Sequence, residues 1–535
     1  MLRPIIFLLL VTLAACQRAP NPPDEQKLRM AIRRDIDSFN PYITTTTQGE
    51  MIALRLFPTL YHENSIGKDG MPLLEPYLVE KLEWSNGGET CLLTLKPNLV
   101  WSDGHPLTSD DLAYSFAIQK NPDVGWLSSD LKANISGWEV VNQLQIQIAF
   151  NSATPFNPLN LNEGFIIPKH HFESVPLAKW GEHDWSSKLV VYGPYRPGTY
   201  LPGESLTLEP LTDNSLPTLG FAVIKDKQTI YQLLLQGQLD YSWNLPVERI
   251  PDIHEKLNGV IYEDMSYGLI AWNAFDPRAL GDNEQPSSPE HLKKLLEQSP
   301  HPLFSDVRVR QALTYAMDRT GYGKRFWNDA EVVPLSPWSI GEQGYRSQLS
   351  PRSQDREAAA RLLTEAGWQL RDGLLHKGQL PFRFSIICNA GSDLREQYLL
   401  AIQQDLKAVG IQMDIELQEA GLYVANYMSR HFDAVFSILR RGSRPDLSDI
   451  MHSRAAINGG HNFSSWTHAD SLLEAVPAIT RPDQLPPLIH ALEQRFYQDQ
   501  PISLLFKGRR VGATSNPALK PSRQFQDPLY NVGAW

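Results

Sequence analysis

Apolar and polar positions recur along this chain with two periods, and these predict its strands and helices. Ile411, Met413, Ile415 and Leu417 alternate with polar residues, as do Leu144, Ile146, Ile148 and Phe150, the period-two signature of half-buried strands. Val309, Ala312, Leu313, Ala316 and Met317 instead recur every three or four residues, which predicts a helix over 306–319 with Ser305 as its N-cap. Ala359, Leu362, Leu363 and Ala366 predict another over 355–368. Two strand–helix–strand units stand out. One has an extended run at 382–387, a helix over 394–409 with Tyr398, Leu399, Ile402, Leu406 and Val409 on one face, a stop at Gly410, and the strand at 411–417. The other has a strand at 221–224, a helix over 227–236 ended by Gly237, and an extended run from Leu239 to Trp243. Such alternation predicts an α/β architecture with right-handed crossovers. From 61 to 190 strands and turns dominate, which marks a separate lobe.

The N-terminus follows a different rule. Behind Arg3, Ile5 to Leu13 is almost wholly apolar, yet a bilayer span needs about 20 such residues, so 1–15 reads as a signal peptide. Leu13-Ala14-Ala15-Cys16 resembles the bacterial lipoprotein box, with Cys16 the lipidated first residue of the mature chain; the alternative is an ordinary signal peptide that contains a cysteine. Residues 16–27 are polar and proline-rich, as a semi-extended tether would be. No later segment approaches a membrane span, so the expectation is a periplasmic or extracytoplasmic body anchored by lipid.

Length and charge narrow the classes. With 535 residues the chain needs several cores. Sixty acidic against 49 basic residues leave a net charge of −11, which argues against nucleic acid as a partner. Cys91 and Cys388 lie in apolar strand-like runs and read as buried free thiols, with a long-range disulfide as the alternative.

Several stretches, in order, resemble the family 5 extracellular solute-binding proteins, the peptide and nickel receptors of bacterial ABC importers. They are Asp37-Ser38-Phe39-Asn40-Pro41, Pro72 to Leu78, and Leu95 to Asp111 with Thr108 as the cap of a following helix. Tyr192-Gly193-Pro194-Tyr195, Gly237 to Asp240, Asp306 to Leu313 and Glu365-Ala366-Gly367-Trp368 complete the set. The resemblance implies a periplasmic-binding-protein type II-like, two-domain clamshell. Domain I would comprise 28–60, 190–270 and 500–535, with 61–189 inserted as an extra lobe, and domain II 271–499. Two strand-like crossovers near Tyr267–Asn273 and Gln500–Leu505 would form the hinge. It further implies capture of a peptide or other small ligand between closing domains and delivery to a membrane ABC permease and ATPase complex. The receptor would act as a monomer, without cofactor, bound metal or catalysis.

The resemblance also points to cleft residues. Relatives that grip free peptides place an Asp four residues before a Pro-Asp step; here the step is Pro445-Asp446 and the position holds Arg441. A guanidinium there repels an α-ammonium and offers a fork to carboxylate or phosphate. Dipeptide receptors place an Arg for the ligand carboxylate where this chain has Asn389. The loss of both clamps favours a longer peptide held mainly by its backbone, or an anionic or capped ligand; misalignment, or Arg441 paired with Asp446 at the surface, is the alternative. Trp338 lies in a proline-rich loop where the family lines its pocket, and Tyr42, Trp243, Tyr267 and Trp272 flank the expected hinge and cleft; for any one of them a core position is the commoner alternative. Asn273, just after the first crossover, matches a family asparagine that either meets ligand or holds hinge backbone.

Rival classes find less support. There is no G-x-S-x-G elbow, H-E-x-x-H, P-loop or dinucleotide fingerprint, and Gly203-Glu204-Ser205-Leu206 fails the elbow at its fourth place. His170-His171 reads as a turn or packing element, and His452, His461 and His468 as solvated side chains without metal-ligand spacing. The reading is a substrate-binding lipoprotein of an ABC importer. Its alternatives are the same fold holding a non-peptide or anionic ligand (a metal chelate, an opine- or glycan-like compound), or a sensor or scavenger without transport.

Overall fold

A computed structural model describes residues 27–535 except 67–70, 127, 212–214, 283, 339–346, 441–443, 522–526, 531 and 533–535. The signal peptide, Cys16 and Arg441 therefore lie outside the described residues.

The two expected strand–helix–strand units seed the two halves of one ten-stranded sheet. Its order is Gln412–Gln418, Arg383–Asn389, Ala434–Arg440, Asn258–Trp272, Ile502–Thr514, Tyr241–Ser242, Lys27–Ile32, Thr218–Val223, Ser205–Pro210 and Tyr195–Leu201. In domain II, Arg383–Asn389 and Gln412–Gln418 are parallel neighbours joined through the helix Asp393–Ala408. In domain I, Thr218–Val223 and Tyr241–Ser242 are joined through Lys27–Ile32, which lies between them and parallel to both.

The two long central strands tie the halves together. Asn258–Glu263 pairs with Arg509–Thr514 on the domain I side, and Tyr267–Ala271 with Ile502–Lys507 on the domain II side. The register shifts twice, between Glu263 and Tyr267 and between Gly268 and Leu269, so the ladder is interrupted where one half gives way to the other. The expected hinge segments contain the second shift, and the first falls just before them, opposite 507–509, while Ser266–Trp272 is also paired with Ala434–Arg440 on its other edge.

Each half buries its own core. Helices Val307–Ala316, Arg356–Glu365 and Asp393–Ala408 cover the domain II strands over Trp272, Phe304, Tyr398, Phe436 and Phe506. The cap of the first helix is Asp306 rather than Ser305, because its carboxylate accepts the Arg308 amide at 2.9 Å. Domain I packs around Leu28, Met30, Leu56, Phe221 and Tyr241. Ile167, Phe172, Trp180 and Trp185 join this cluster, so the end of the expected lobe packs as part of domain I. Gly193 is required there: a Cβ would land on the Arg55 carbonyl, where the helix Thr47–Leu56 runs against the turn.

The lobe is an antiparallel sheet ordered Val79–Ser85, Thr90–Leu95, Gln145–Phe150, Ile135–Asn142, with the helix Ser109–Lys120 alongside. Thr108 caps that helix as expected, its amide donating to Asp111 Oδ2 at 2.8 Å. Cys91 lies in the lobe's core and Cys388 in that of domain II; both are free and buried, and burial pushes their thiols up to about 12 and 11. Among the described residues no helix is long and apolar enough to cross a membrane.

Candidate functional site

Strand direction locates the mouth of the cleft. Arg383–Asn389, Gln412–Gln418 and Ala434–Arg440 run parallel, so Asn389, Gln418 and Arg440 end at one edge of domain II. Arg440 is opposite Ser266, beside the interrupted ladder, whereas Ala434 is opposite Trp272 at the far edge. Ligands in open α/β sheets lie beyond the carboxyl ends of strands, which puts the site at the Arg440 edge, facing domain I and the lobe.

Three elements converge there. On domain I, Asp37 gathers the threonine run: its carboxylate accepts the Thr45 amide at 2.7 Å, the Thr45 hydroxyl at 2.8 Å and the Thr46 hydroxyl at 3.1 Å. Burial alone would raise its pKa, but these bonds and one from Thr44 outweigh that and lower it to about 2. Thr46 in turn caps the helix Thr47–Leu56, accepting the Gly49 amide at 3.1 Å, which fixes Glu50 in the first turn. Glu50 touches solvent, yet surrounding protein pushes its carboxyl upward; Arg440 opposes the shift, and Glu163 and Asp37 add to it. Thr47–Leu56 of domain I, the end of the lobe helix Asn157–Asn162 and the last residue of Ala434–Arg440 thus bring Glu50, Glu163 and Arg440, charges of both signs, within electrostatic reach of one another.

Arg444 bridges the lobe and domain II. Its guanidinium donates to Glu163 Oε2 at 3.1 Å, to the Leu159 carbonyl at 3.2 Å and to Asn160 Oδ1. Beneath it Met71, Phe156 and Leu159 of the lobe share an apolar cluster with Tyr267, Trp338, Leu439 and Leu447 of the opposite side. The fully buried Lys132 lies under the same contact, donating to the Asn160 carbonyl at 2.7 Å and the Leu161 carbonyl at 3.1 Å.

The residues singled out from sequence divide accordingly. Tyr267 and Trp338 meet at the junction, but as buried packing, 4% and 1% exposed; the Trp338 indole donates to the Pro445 carbonyl at 3.1 Å and so steadies the loop that carries Arg444. Asp446 is half-buried and accepts the Ser448 amide and hydroxyl at 2.9 and 2.6 Å, capping its own turn. Asn389 is half-buried at the strand end that faces the cleft. Four others lie in the packed interior. Tyr42 and Trp243 belong to the domain I core, where the Tyr42 hydroxyl accepts from Gln119 at 2.7 Å. Trp272 and Asn273 lie at the far edge; the Trp272 indole donates to Ser503 Oγ at 3.0 Å, and the Asn273 side-chain amide donates to the carbonyls of Arg430 and Phe432 at 3.2 and 3.1 Å, so it holds backbone, the second of its two expected roles. Ring size and proximity to a crossover had singled these out, but the paired strands bury them. His452 is likewise buried, its Nδ1 accepting the Arg454 amide at 3.0 Å, while His461 and His468 are exposed as expected.

Sequence reasoning missed Glu50, Glu163 and Arg444. Only Arg444 left a signal: it is the third arginine of Arg440-Arg441-Gly442-Ser443-Arg444, and counting from the Pro-Asp step passed over it.

Two bodies joined by a pair of adjacent strands, with a third lobe reaching across to domain II through Arg444, define a binding protein of the type II-like clamshell class. The chain belongs to the bacterial extracellular solute-binding proteins, family 5, whose model (described as family 5 Middle) matches residues 74–456. It is similar to the oligopeptide-binding protein AppA of Bacillus subtilis, 26% identical over 486 residues, a match that covers 86% of this chain and 82% of that protein. Among solved structures, AppA in complex with a nonapeptide aligns with a TM-score of 0.70 at 23% identity, over 95% of this chain and 98% of that one. NikZ from Campylobacter jejuni in complex with Ni(L-His) aligns at 0.75 and 19% identity, over 95% and 99%.

Proposed function

We propose that this protein is the capturing component of a bacterial ABC importer. It binds a peptide, mainly through the ligand's backbone, between Glu50, Glu163 and Arg440, and presents the closed form to a membrane permease and its ATPase. It makes and breaks no bond in the ligand. The observation that carries this reading is the double crossover with its interrupted ladder at Glu263/Tyr267, a connection that lets two packed bodies rotate without unfolding. The oligopeptide-binding relative supports peptide as the ligand class, and so do the charges of both signs that Glu50, Glu163 and Arg440 bring together. Acylated Cys16 would hold the protein, as a monomer, at the outer face of a membrane.

A second reading, an anionic or metal-chelate ligand, is favoured by Arg441 standing where free-peptide binders place an acid. Native mass spectrometry of the protein as purified separates the two: a co-purifying peptide series supports the first, a single anionic compound the second. Arg441→Asp then weakens an anionic ligand and leaves a backbone-held peptide nearly unaffected. If neither kind co-purifies and a random oligopeptide pool fails to bind, the peptide proposal is wrong. Loss of peptide uptake in a deletion strain distinguishes transport from a sensor or scavenger role.

A further inference from the structure

The lobe carries a constellation that ligand capture leaves unused. Asp103 and His105 lie in the tight turn that follows Trp101, closed by hydrogen bonds from the Trp101 amide to the His105 carbonyl at 2.8 Å and from the Gly104 amide to the Trp101 carbonyl at 2.9 Å. Gly104 supplies the φ of +88° that this turn needs. Asp103 Oδ1 accepts the His105 amide at 3.2 Å, which orients the carboxylate. Its Oδ2 is 3.0 Å from His105 Nδ1 and 2.7 Å from Nε2 of His170, a residue 67 positions further along the chain. The two imidazoles stack with centroids 4.3 Å apart and planes 25° from parallel, and all three donor atoms lie within 4.8 Å of one another.

The two segments that bring these groups together are stapled by a buried carboxylate. Asp111, 5% exposed, accepts the Lys169 amide on Oδ1 at 2.8 Å, and on Oδ2 the Thr108 amide at 2.8 Å and the Trp101 indole at 3.2 Å. It thus fixes both ends of the 101–108 turn against the start of the short helix Lys169–Phe172, whose second residue is His170. Phe172, fully buried in the domain I core, anchors the other end of that helix. The donors hang from backbone that is held on both sides, the support a metal-binding constellation requires.

We propose that Asp103, His105 and His170 form a binding site for a borderline divalent transition-metal ion, zinc in the first instance, at the surface where the lobe meets domain I. Two imidazole nitrogens and one carboxylate oxygen suit zinc, nickel or copper, whereas calcium and magnesium favour all-oxygen shells. Bonds of about 2.0–2.2 Å to one ion place its donors roughly 3–3.5 Å apart. The two Asp103 distances are already near that spacing, and the closing movement falls on the exposed His105 ring. Remaining coordination positions are left for water. The site shares no residue with the cluster of Glu50, Glu163, Arg440 and Arg444, so it does not depend on the ligand proposed there.

The test is calorimetric titration of zinc chloride into tag-free full-length protein, in buffer without histidine or chelator, for wild type, His105→Ala and His170→Ala. Wild type takes up one equivalent and gains melting temperature with zinc. Each variant loses affinity by about tenfold or more and loses that gain. His105, with 61% of its side chain exposed, can be removed without disturbing the fold, so the zinc-free melting temperature of His105→Ala matches wild type. Wild type that takes up no zinc at micromolar concentration, or a His105→Ala protein that binds it as wild type does, overturns the proposal.

Discussion

Replacing Arg444 by alanine tests how the lobe and domain II hold each other. The side chain is 16% exposed and its partner Glu163 31%. Fully exposed ion pairs are worth about 0.2–1 kcal/mol, while a partly buried charged group with further hydrogen bonds contributes about 1.5–3 kcal/mol. Besides Glu163, Arg444 serves the Leu159 carbonyl and Asn160 Oδ1, so about 2 kcal/mol is the appropriate scale. That corresponds to roughly 30-fold in the balance between joined and separated bodies. A ligand-free population split evenly between the two would become about 3% joined, which small-angle scattering reads as a larger radius of gyration. Glu163 also faces Lys132, so a double-mutant cycle of Arg444→Ala with Glu163→Gln isolates the pair itself. A coupling energy near zero together with an unchanged radius of gyration would refute the assignment of closing energy to this contact.

Two further outcomes follow from single positions. Burial lowers the Lys132 pKa from 10.5 to about 7, with Glu163 opposing and Arg444 adding. Between those values the folded chain binds fewer protons than the unfolded one, so this lysine makes stability rise with pH. In urea denaturation, the stability of wild type relative to Lys132→Met therefore increases from pH 7 to 9.5; a pH-independent difference contradicts the burial of the ammonium. At the crossover, a Cβ on Gly268 would fall inside the ring of Phe506, itself 2% exposed, so Gly268→Ala costs about 1–3 kcal/mol in thermal or urea unfolding. An unchanged midpoint contradicts the close packing of the two central strands.

The fold was legible wherever local periodicity and tertiary packing agree. Val309 to Ala316 and Tyr398 to Leu406 show their buried faces directly in sequence, and those helices form within a few residues of the expected limits. Gly237 and Gly410 end their helices with positive φ, as their positions imply. The hinge was harder to read. Tyr267 to Trp272 has the composition of a strand, but only its pairing shows that the ladder shifts register both just before it and within it, at Gly268/Leu269. Site residues were least legible. Trp243 and Trp272 carry the composition of a pocket and the burial of a core, a distinction made by tertiary position alone. Glu50 joins the charged cluster only because a threonine-capped helix brings it within electrostatic reach of Arg440, which is distant in the chain. Asp103 and His170 meet for the same kind of reason, through a buried Asp111 that no local pattern reveals.

The claim that two packed halves close on a ligand about a paired-strand hinge is tested most directly by a distance across the molecule. Leu201 on the outermost domain I strand and Leu400 on a domain II helix are 48% and 58% exposed, so cysteines there accept spin labels, while Cys91 and Cys388 are fully buried and stay unlabelled. Pulsed electron paramagnetic resonance on the doubly labelled protein should show a broad distance distribution that shifts and narrows when a random oligopeptide pool is added. Peptide retained in native mass spectra beside an unchanged distribution would contradict the account.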